Sequence, residues 1–483
     1  MSANGYVIST GPDGRLVGMT PDGLGAVMLA AAASPRMVLH VHGGLVDENA
    51  GLRIAESLTP VYRGAGAYPV FVVWRAGLGE IVRNNLVEIA REEIFERLTS
   101  RVLSWSVGWL RGRAEGSRSS GASRPTEPEL AEHLAARRRF DDPDQGEEPF
   151  ADEEPFPGEQ ITAAEQSAFL TELETDPYLT QWVTTVAPRA EAGARGGIDP
   201  GTGVPTRMDT EVLAEITPDD PDGARGGGVV TVYLARKALQ VLRAVIGRFR
   251  DRTDSGLYPT VVEEMLRVFY LGAVGAVLWS TMKKETEDAF RPGDDRAGTL
   301  LLSHLAAAHD AGTLGRVTLV GHSTGAVYLD NLLLAADRGR FQVCYLAPAC
   351  TTEHFARTLD AATDRIGRFR MFTMTDEAER ADRLAGAVYP RSLLYLVSGL
   401  LERDRGASAV VPVLGLARYL TPGGSAAFRL DSVHPYTAGP DRLILSPTGA
   451  QALAGARSTA VRHGDFDDDA LVRDSLAHLV RSW

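Results

Sequence analysis

The sequence predicts an α/β protein: a mostly parallel central sheet with helices on both faces, interrupted by a largely helical insertion. Three observations carry this. Short β-rich apolar runs alternate with helical stretches at both ends of the chain, which implies parallel strands joined by crossover helices. Hydrophobic residues make up 44% of the 483 residues and charged residues 23%, enough for a large core at an ordinary globular composition. Between the two ends the alternation lapses into an acidic stretch and then into long helical patterns.

In chain order, Tyr6–Ser9 and Arg15–Met19 flank the turn Gly11-Pro-Asp-Gly14 and read as a hairpin. A helix is expected over Leu24–Ala33. Met37–Val41 is a β-rich run that ends at His42-Gly43-Gly44. Asp47 opens a helix to Arg63, and Pro69–Arg75 is the next buried strand. Gly79–Trp109 reads as one long helix, with Ile81, Leu86, Ile89, Ile94, Phe95 and Leu98 on one side. Composition then changes. Asp141–Gln160 carries nine acidic residues and no basic one. It buries too little to offset its ordering entropy, so residues 111–161 are expected to be a disordered acidic linker.

Helical signals return at Thr162–Glu174. A Gly/Pro-rich stretch covers Pro188–Gly228, and helices follow at Val229–Phe249, Val261–Glu287 and Ala297–His309. Residues 162–309 are thus a helical insertion or lid. Within it Val268–Met282 is fifteen residues without a charge, shorter than the ~20 that span a bilayer. It reads as a buried helix or as an apolar cover over a cleft. Order resumes with strand candidates at Val317–Val320, Phe341–Pro348, Arg368–Met374 and Arg442–Ser446, a helix at Ala326–Ala336 and a last helix at Asp469–Val480.

Charge and cysteine usage narrow the function. Lys and Arg number 50 against 63 Asp and Glu, a net −13, which lacks the basic footprint of a nucleic-acid binder. Cys344 and Cys350 are too few for a disulfide framework or a cysteine zinc site and read as core residues in a reducing compartment. The opening residues lack a basic n-region and an apolar h-region, so a cytoplasmic location is expected, with no transmembrane segment. No P-loop, zinc or dinucleotide pattern is present, so no cofactor and no metal are expected.

Gly321-His-Ser-Thr-Gly325 fits G-x-S-x-G, directly after an apolar β run and directly before a helix. That context places a serine on a tight strand-to-helix turn, where a Cβ at either flanking position would clash. Ser323 is then the nucleophile, and the Thr324 N–H faces the developing oxyanion. Gly43 and Gly44, after the strand that ends at Val41, let backbone donors approach the same oxygen.

With HVHGG after an early strand and GHSTG after a later one, the sequence resembles the α/β-hydrolase superfamily of serine esterases and lipases. The resemblance covers 1–110 and 310–483, with a large insertion before the nucleophile strand. It implies the chain order Ser, acid, His. Leu45 stands where the HGGG-type motif has its third glycine. The acid is expected after the second strand beyond the nucleophile, at Asp376, with Glu377 its rival; Asp376 would otherwise serve as a helix N-cap. The histidine is expected in a late loop, at His463 in Arg462-His-Gly-Asp-Phe466, with His434 as runner-up. His322 is the variable position of the motif, and Asp465, Asp467, Asp468 and Asp469 read as a solvated helix N-terminus.

The resemblance implies a serine hydrolase cleaving an ester or related acyl bond. Its partner is a small-molecule or lipid acyl substrate, with peripheral membrane contact in the lipid case. Peptidase, thioesterase or acyltransferase chemistry suits the same triad. A catalytically silent interaction protein is the alternative of a different class.

Overall fold

A computed structural model of the chain describes residues 5–44, 46–74, 78–114, 160–182, 206–216, 228–402, 410–421 and 432–483. Most of the expected acidic linker and most of the Gly/Pro-rich stretch lie outside the described residues, as does Leu45.

Eight strands form one sheet: β1 (Val7–Thr10), β2 (Leu16–Val17), β3 (Arg36–Val41), β4 (Tyr68–Trp74), β5 (Arg316–His322), β6 (Phe341–Leu346), β7 (Ile366–Met374) and β8 (Leu443–Ser446). Their spatial order is β2-β1-β4-β3-β5-β6-β7-β8. Only the β1–β2 pair is antiparallel. The central strands are rich in Val, Leu and Phe because both faces of a parallel sheet are covered. Alternate residues divide between two cores. On β3, Val38 joins the core under α2 (Glu48–Gly64), while Met37, Leu39 and Val41 join the other.

The second core lies against α1 (Pro21–Ala32), the later helix Ala297–Asp310 and the helix that follows β5. The first core runs on without a break from the sheet into the helical insertion. Cys344 and Cys350 are buried and unpaired, and burial pushes the Cys344 thiol up to about 12, as befits core residues.

Two helices expected to be continuous are broken. Gly79–Trp109 divides into α3 (Leu78–Ile89) and α4 (Glu93–Ala114). The turn between them turns Glu92 into a tertiary anchor: its carboxylate accepts from Thr206 Oγ1 at 2.8 Å, from the Arg207 N–H at 2.6 Å and from the Tyr270 hydroxyl at 3.0 Å.

Farther on come α5 (Ala163–Glu174), α6 (Thr210–Ile216) and α7 (Gly228–Arg250). Val261–Glu287 is again two helices, α8 (Leu257–Phe269) and α9 (Ala276–Asp288). Gly275, with φ at 92°, cannot continue a right-handed helix, and the Gly272 N–H is held by Asp209 at 2.8 Å. The uncharged run Val268–Met282 therefore spans a break. No described helix is long and apolar enough to cross a membrane.

The remaining helices are α10 (Ala297–Asp310), α11 (Thr324–Ala335), α12 (Thr352–Ala362), α13 (Asp376–Ala381), α14 (Leu393–Leu396), α15 (Val433–Thr437) and α16 (Ala470–Ser482). Thr375, not Asp376, caps α13: its side chain accepts from the Ala378 N–H. Asp469 caps α16, accepting from the Val472 N–H at 2.7 Å.

Candidate active site

The site lies at the carboxyl end of the central strand β5, where open parallel sheets place ligands. β5 runs to His322 and α11 starts at Thr324, so Ser323 is the whole of the turn between them. Its φ of 53° and ψ of −118° are strained for a residue with a side chain. The strain persists because the turn is pinned on both sides. The Ser323 N–H donates to the Leu346 carbonyl at 2.8 Å, and the Ser323 carbonyl accepts from Ala326 and Ala349 at 3.1 and 3.0 Å.

The flanking glycines are required by space. A Cβ at Gly321 would stand 2.9 Å from the Ala326 nitrogen, and one at Gly325 would stand 2.1 Å from the Val41 carbonyl oxygen.

Ser323 Oγ lies 2.9 Å from His463 Nε2. Two residues far apart in sequence are thereby joined as nucleophile and base require. Both side chains are buried, Ser323 at 2% and His463 at 7% exposure. Burial pushes His463 down to about 3, with His322 acting in the same direction and Asp467 against it. His463 Nδ1, the ring nitrogen turned away from the serine, has no hydrogen-bond partner among the described residues.

The HGG turn reaches the same place. A Cβ on Gly43 would come 3.1 Å from Ser323 Cβ, and one on Gly44 would come 3.0 Å from Thr324 Oγ1. His42 holds the turn: its Nδ1 donates to the Gly43 carbonyl at 2.7 Å, while Nε2 accepts the Trp74 N–H at 3.3 Å. Burial pushes His42 down to about 4 against the pull of that carbonyl, which keeps the ring in the one neutral tautomer both bonds need. Thr324 is the first residue of α11, so its N–H has no acceptor within the helix. The insertion closes over this turn, since Met282 of α9 packs so tightly on Gly44 that an added Cβ would fall 2.0 Å from its Sδ.

The other expected residues sit elsewhere. Asp376 Oδ1 accepts from the Tyr395 hydroxyl at 2.7 Å, and no hydrogen bond among the described residues joins it to His463. Glu377 is exposed. His434 lies on α15, which packs on α12, and no hydrogen bond among the described residues joins it to Ser323. The carboxylate on the histidine loop is Asp382, farther along the same connection after β7; its Oδ2 accepts the His463 backbone N–H at 3.0 Å. Burial raises the Asp382 carboxyl, with that N–H opposing.

Sequence reasoning missed a second buried group. Asp467 is not solvated: it is 2% exposed and its Oδ2 lies 2.6 Å from His322 Nδ1. His322 Nε2 in turn lies 3.0 Å from the His463 carbonyl oxygen. Asp467 Oδ1 is 3.4 Å from His40 Nε2, and His40 Nδ1 is 2.8 Å from the Tyr62 hydroxyl. The one sequence hint is Phe466, the apolar member of the acidic run, which is itself fully buried beside Asp467.

Fold and site together define an α/β protein with a serine–histidine pair at the head of its central parallel strand. No known protein-family model, curated protein or solved structure matches the chain.

Proposed function

We propose that the protein is a serine hydrolase of the α/β-hydrolase type, cleaving an ester or related acyl bond. The observation that carries this is the 2.9 Å approach of Ser323 Oγ to His463 Nε2, on a strained turn between two glycines that cannot bear a side chain.

The chemistry follows. A serine hydroxyl is a poor nucleophile until a base takes its proton. His463 Nε2 accepts that proton as Oγ bonds to the acyl carbon, then gives it to the departing alcohol. Water, deprotonated by the same ring, releases the acid and restores the serine. The Gly43, Gly44 and Thr324 amides are the donors for the oxyanion, and loss of one such donor costs about 10²–10³ in turnover.

An imidazole held near 3 is a weak base, so the His463 Nδ1–H calls for a carboxylate in the working enzyme. Asp382, already on the His463 backbone, is the nearer candidate; Asp376 is occupied by Tyr395.

The cover favours a lipid-like acyl chain. α9, which carries Met282 onto the oxyanion turn, also carries Val277 and Leu278, large apolar residues at 67% and 41% exposure. Labelling by a fluorophosphonate, with the serine oxygen displacing fluoride from phosphorus, tests the class. The expected result is one label on the protein and none on Ser323→Ala; an unlabelled, well-folded wild type defeats it. Faster turnover of long-chain than of acetyl esters tests the substrate, and the reverse preference removes the lipid reading.

A further inference from the structure

We propose that His322 and Asp467 form a buried ion pair that acts as a positioning device, clamping the His463 loop to the serine turn. This rests on the serine-hydrolase reading for its purpose but not for its existence. Both ring nitrogens of His322 face acceptors: Nδ1 the Asp467 carboxylate at 2.6 Å, Nε2 the His463 carbonyl at 3.0 Å. A neutral imidazole has one N–H and can satisfy only one of them, so the ring is an imidazolium.

The electrostatics agree. Burial works against the cation, yet the charge and hydrogen bond of Asp467 outweigh it and raise His322 above its ordinary value. For Asp467, burial works against the anion, yet His322 and His40 hold it well below the usual carboxylate range.

The connectivity gives the pair its role. His322 immediately precedes Ser323, so the residue that fixes the His463 main chain is covalently next to the nucleophile. Asp467 follows His463 in the same loop. The clamp thus closes a short circuit: Ser323, His322, the His463 carbonyl, the His463 ring and back to Ser323 Oγ. A serine and a histidine from distant parts of the sheet are set by one bond rather than by two loops adjusting separately.

The cation also acts through space. The His322 and His463 rings are 5.3 Å apart, a separation at which a buried unit charge moves a neighbour's titration by about two pH units. Other charged or titratable groups facing the pair are Asp468 and Arg473 from α16 and its approach, while Asp382, on the connection after β7, meets Asp465 and Arg462 at the backbone of the His463 loop. His40 faces it from β3, His42 from the turn after β3 and Tyr62 from α2. Among the described residues, no carboxylate besides Asp467 is hydrogen-bonded to His322.

The test has two arms. In the full-length wild type, ¹⁵N NMR of the histidine side chains reads the charge state directly. The expected result is His322 doubly protonated at pH 7 and neutral in Asp467→Asn; a singly protonated His322 in the wild type overturns the proposal whatever the enzyme does. The second arm is the rate of fluorophosphonate labelling against pH for wild type, His322→Gln and Asp467→Asn.

In His322→Gln the rate falls about 100-fold, the cost of misplacing a reacting group by about 1 Å. Its acid limb moves up by about two units. Asp467→Asn retains one donor toward the His463 carbonyl and falls less. Wild-type labelling with unchanged rate and unchanged acid limb in His322→Gln overturns the proposal. Absence of wild-type labelling instead defeats the hydrolase reading and leaves the NMR arm to decide. Should His322→Gln not fold, Asp467→Asn and the wild-type spectrum still decide it.

Discussion

The contact between Met282 and Gly44 makes the insertion part of the site, and a double-mutant cycle measures it. Gly44 lies outside the left-handed backbone region, so alanine there meets only a steric demand. Its Cβ would fall 2.0 Å from Met282 Sδ, 2.8 Å from Cε and 3.0 Å from Thr324 Oγ1. Gly44→Ala therefore overpacks the turn, at about 1–3 kcal/mol. Met282, 3% exposed, leaves a cavity when cut to alanine, at about 2–5 kcal/mol. In the double variant the new methyl occupies space the sulfur vacated, so about 1–3 kcal/mol returns as coupling. Thr324 Oγ1 remains in the way, so recovery is partial. Urea denaturation of the four proteins gives the energies. Fluorophosphonate labelling gives the second readout, with Met282→Ala labelled several-fold faster because Ser323 is uncovered. Strict additivity, with no gain in labelling, would refute the view that α9 closes on the oxyanion turn.

Gly325→Ala forces a Cβ to 2.1 Å from a backbone carbonyl of β3, which cannot swing aside; a loss of about 3 kcal/mol and of all labelling is expected, checked by the urea midpoint. Asp382→Asn should slow labelling by about 10²-fold or more while Asp376→Asn, losing only its place beside Tyr395, stays within a few-fold; the opposite ranking restores Asp376 as the acid. His463 should stay neutral in the resting protein down to about pH 3, read from its NMR titration, and a midpoint near 6.5 would refute its burial. The sign for stability follows: the unfolded histidine takes a proton below about 6.5 and the folded one does not. Acidification from there to about pH 3 therefore removes about 1.4 kcal/mol per unit through this group.

The strands were legible because a parallel sheet covered on both faces writes itself as apolar runs such as MVLHV and VFVVW. The serine turn was legible because its steric demands select glycine at two fixed positions. The helix breaks at Ala90–Glu92 and Tyr270–Gly275 were not, because tertiary hydrogen bonds to Glu92 and Asp209 help impose them and periodicity carries no trace of such bonds. The same holds for the carboxylates. Asp376, Asp382 and Asp467 are chemically identical in sequence, and only packing decides which one meets tyrosine, the histidine loop or a second imidazole. His322 was passed over because the motif leaves its position free.

The pairing of β3 with β5 sets a condition on synthesis. Arg36 through Val41 pair with Arg316 through Gly321 at the centre of the sheet, so the ribosome makes the whole insertion between the two partners. At about 5–20 residues per second that interval is on the order of 15–55 s. Through it, one edge of a largely apolar strand has no neighbour, the condition under which nascent chains pair with the wrong edge. Slow assembly dominated by distant contacts follows, with that edge of β3 waiting for its partner until β5 emerges.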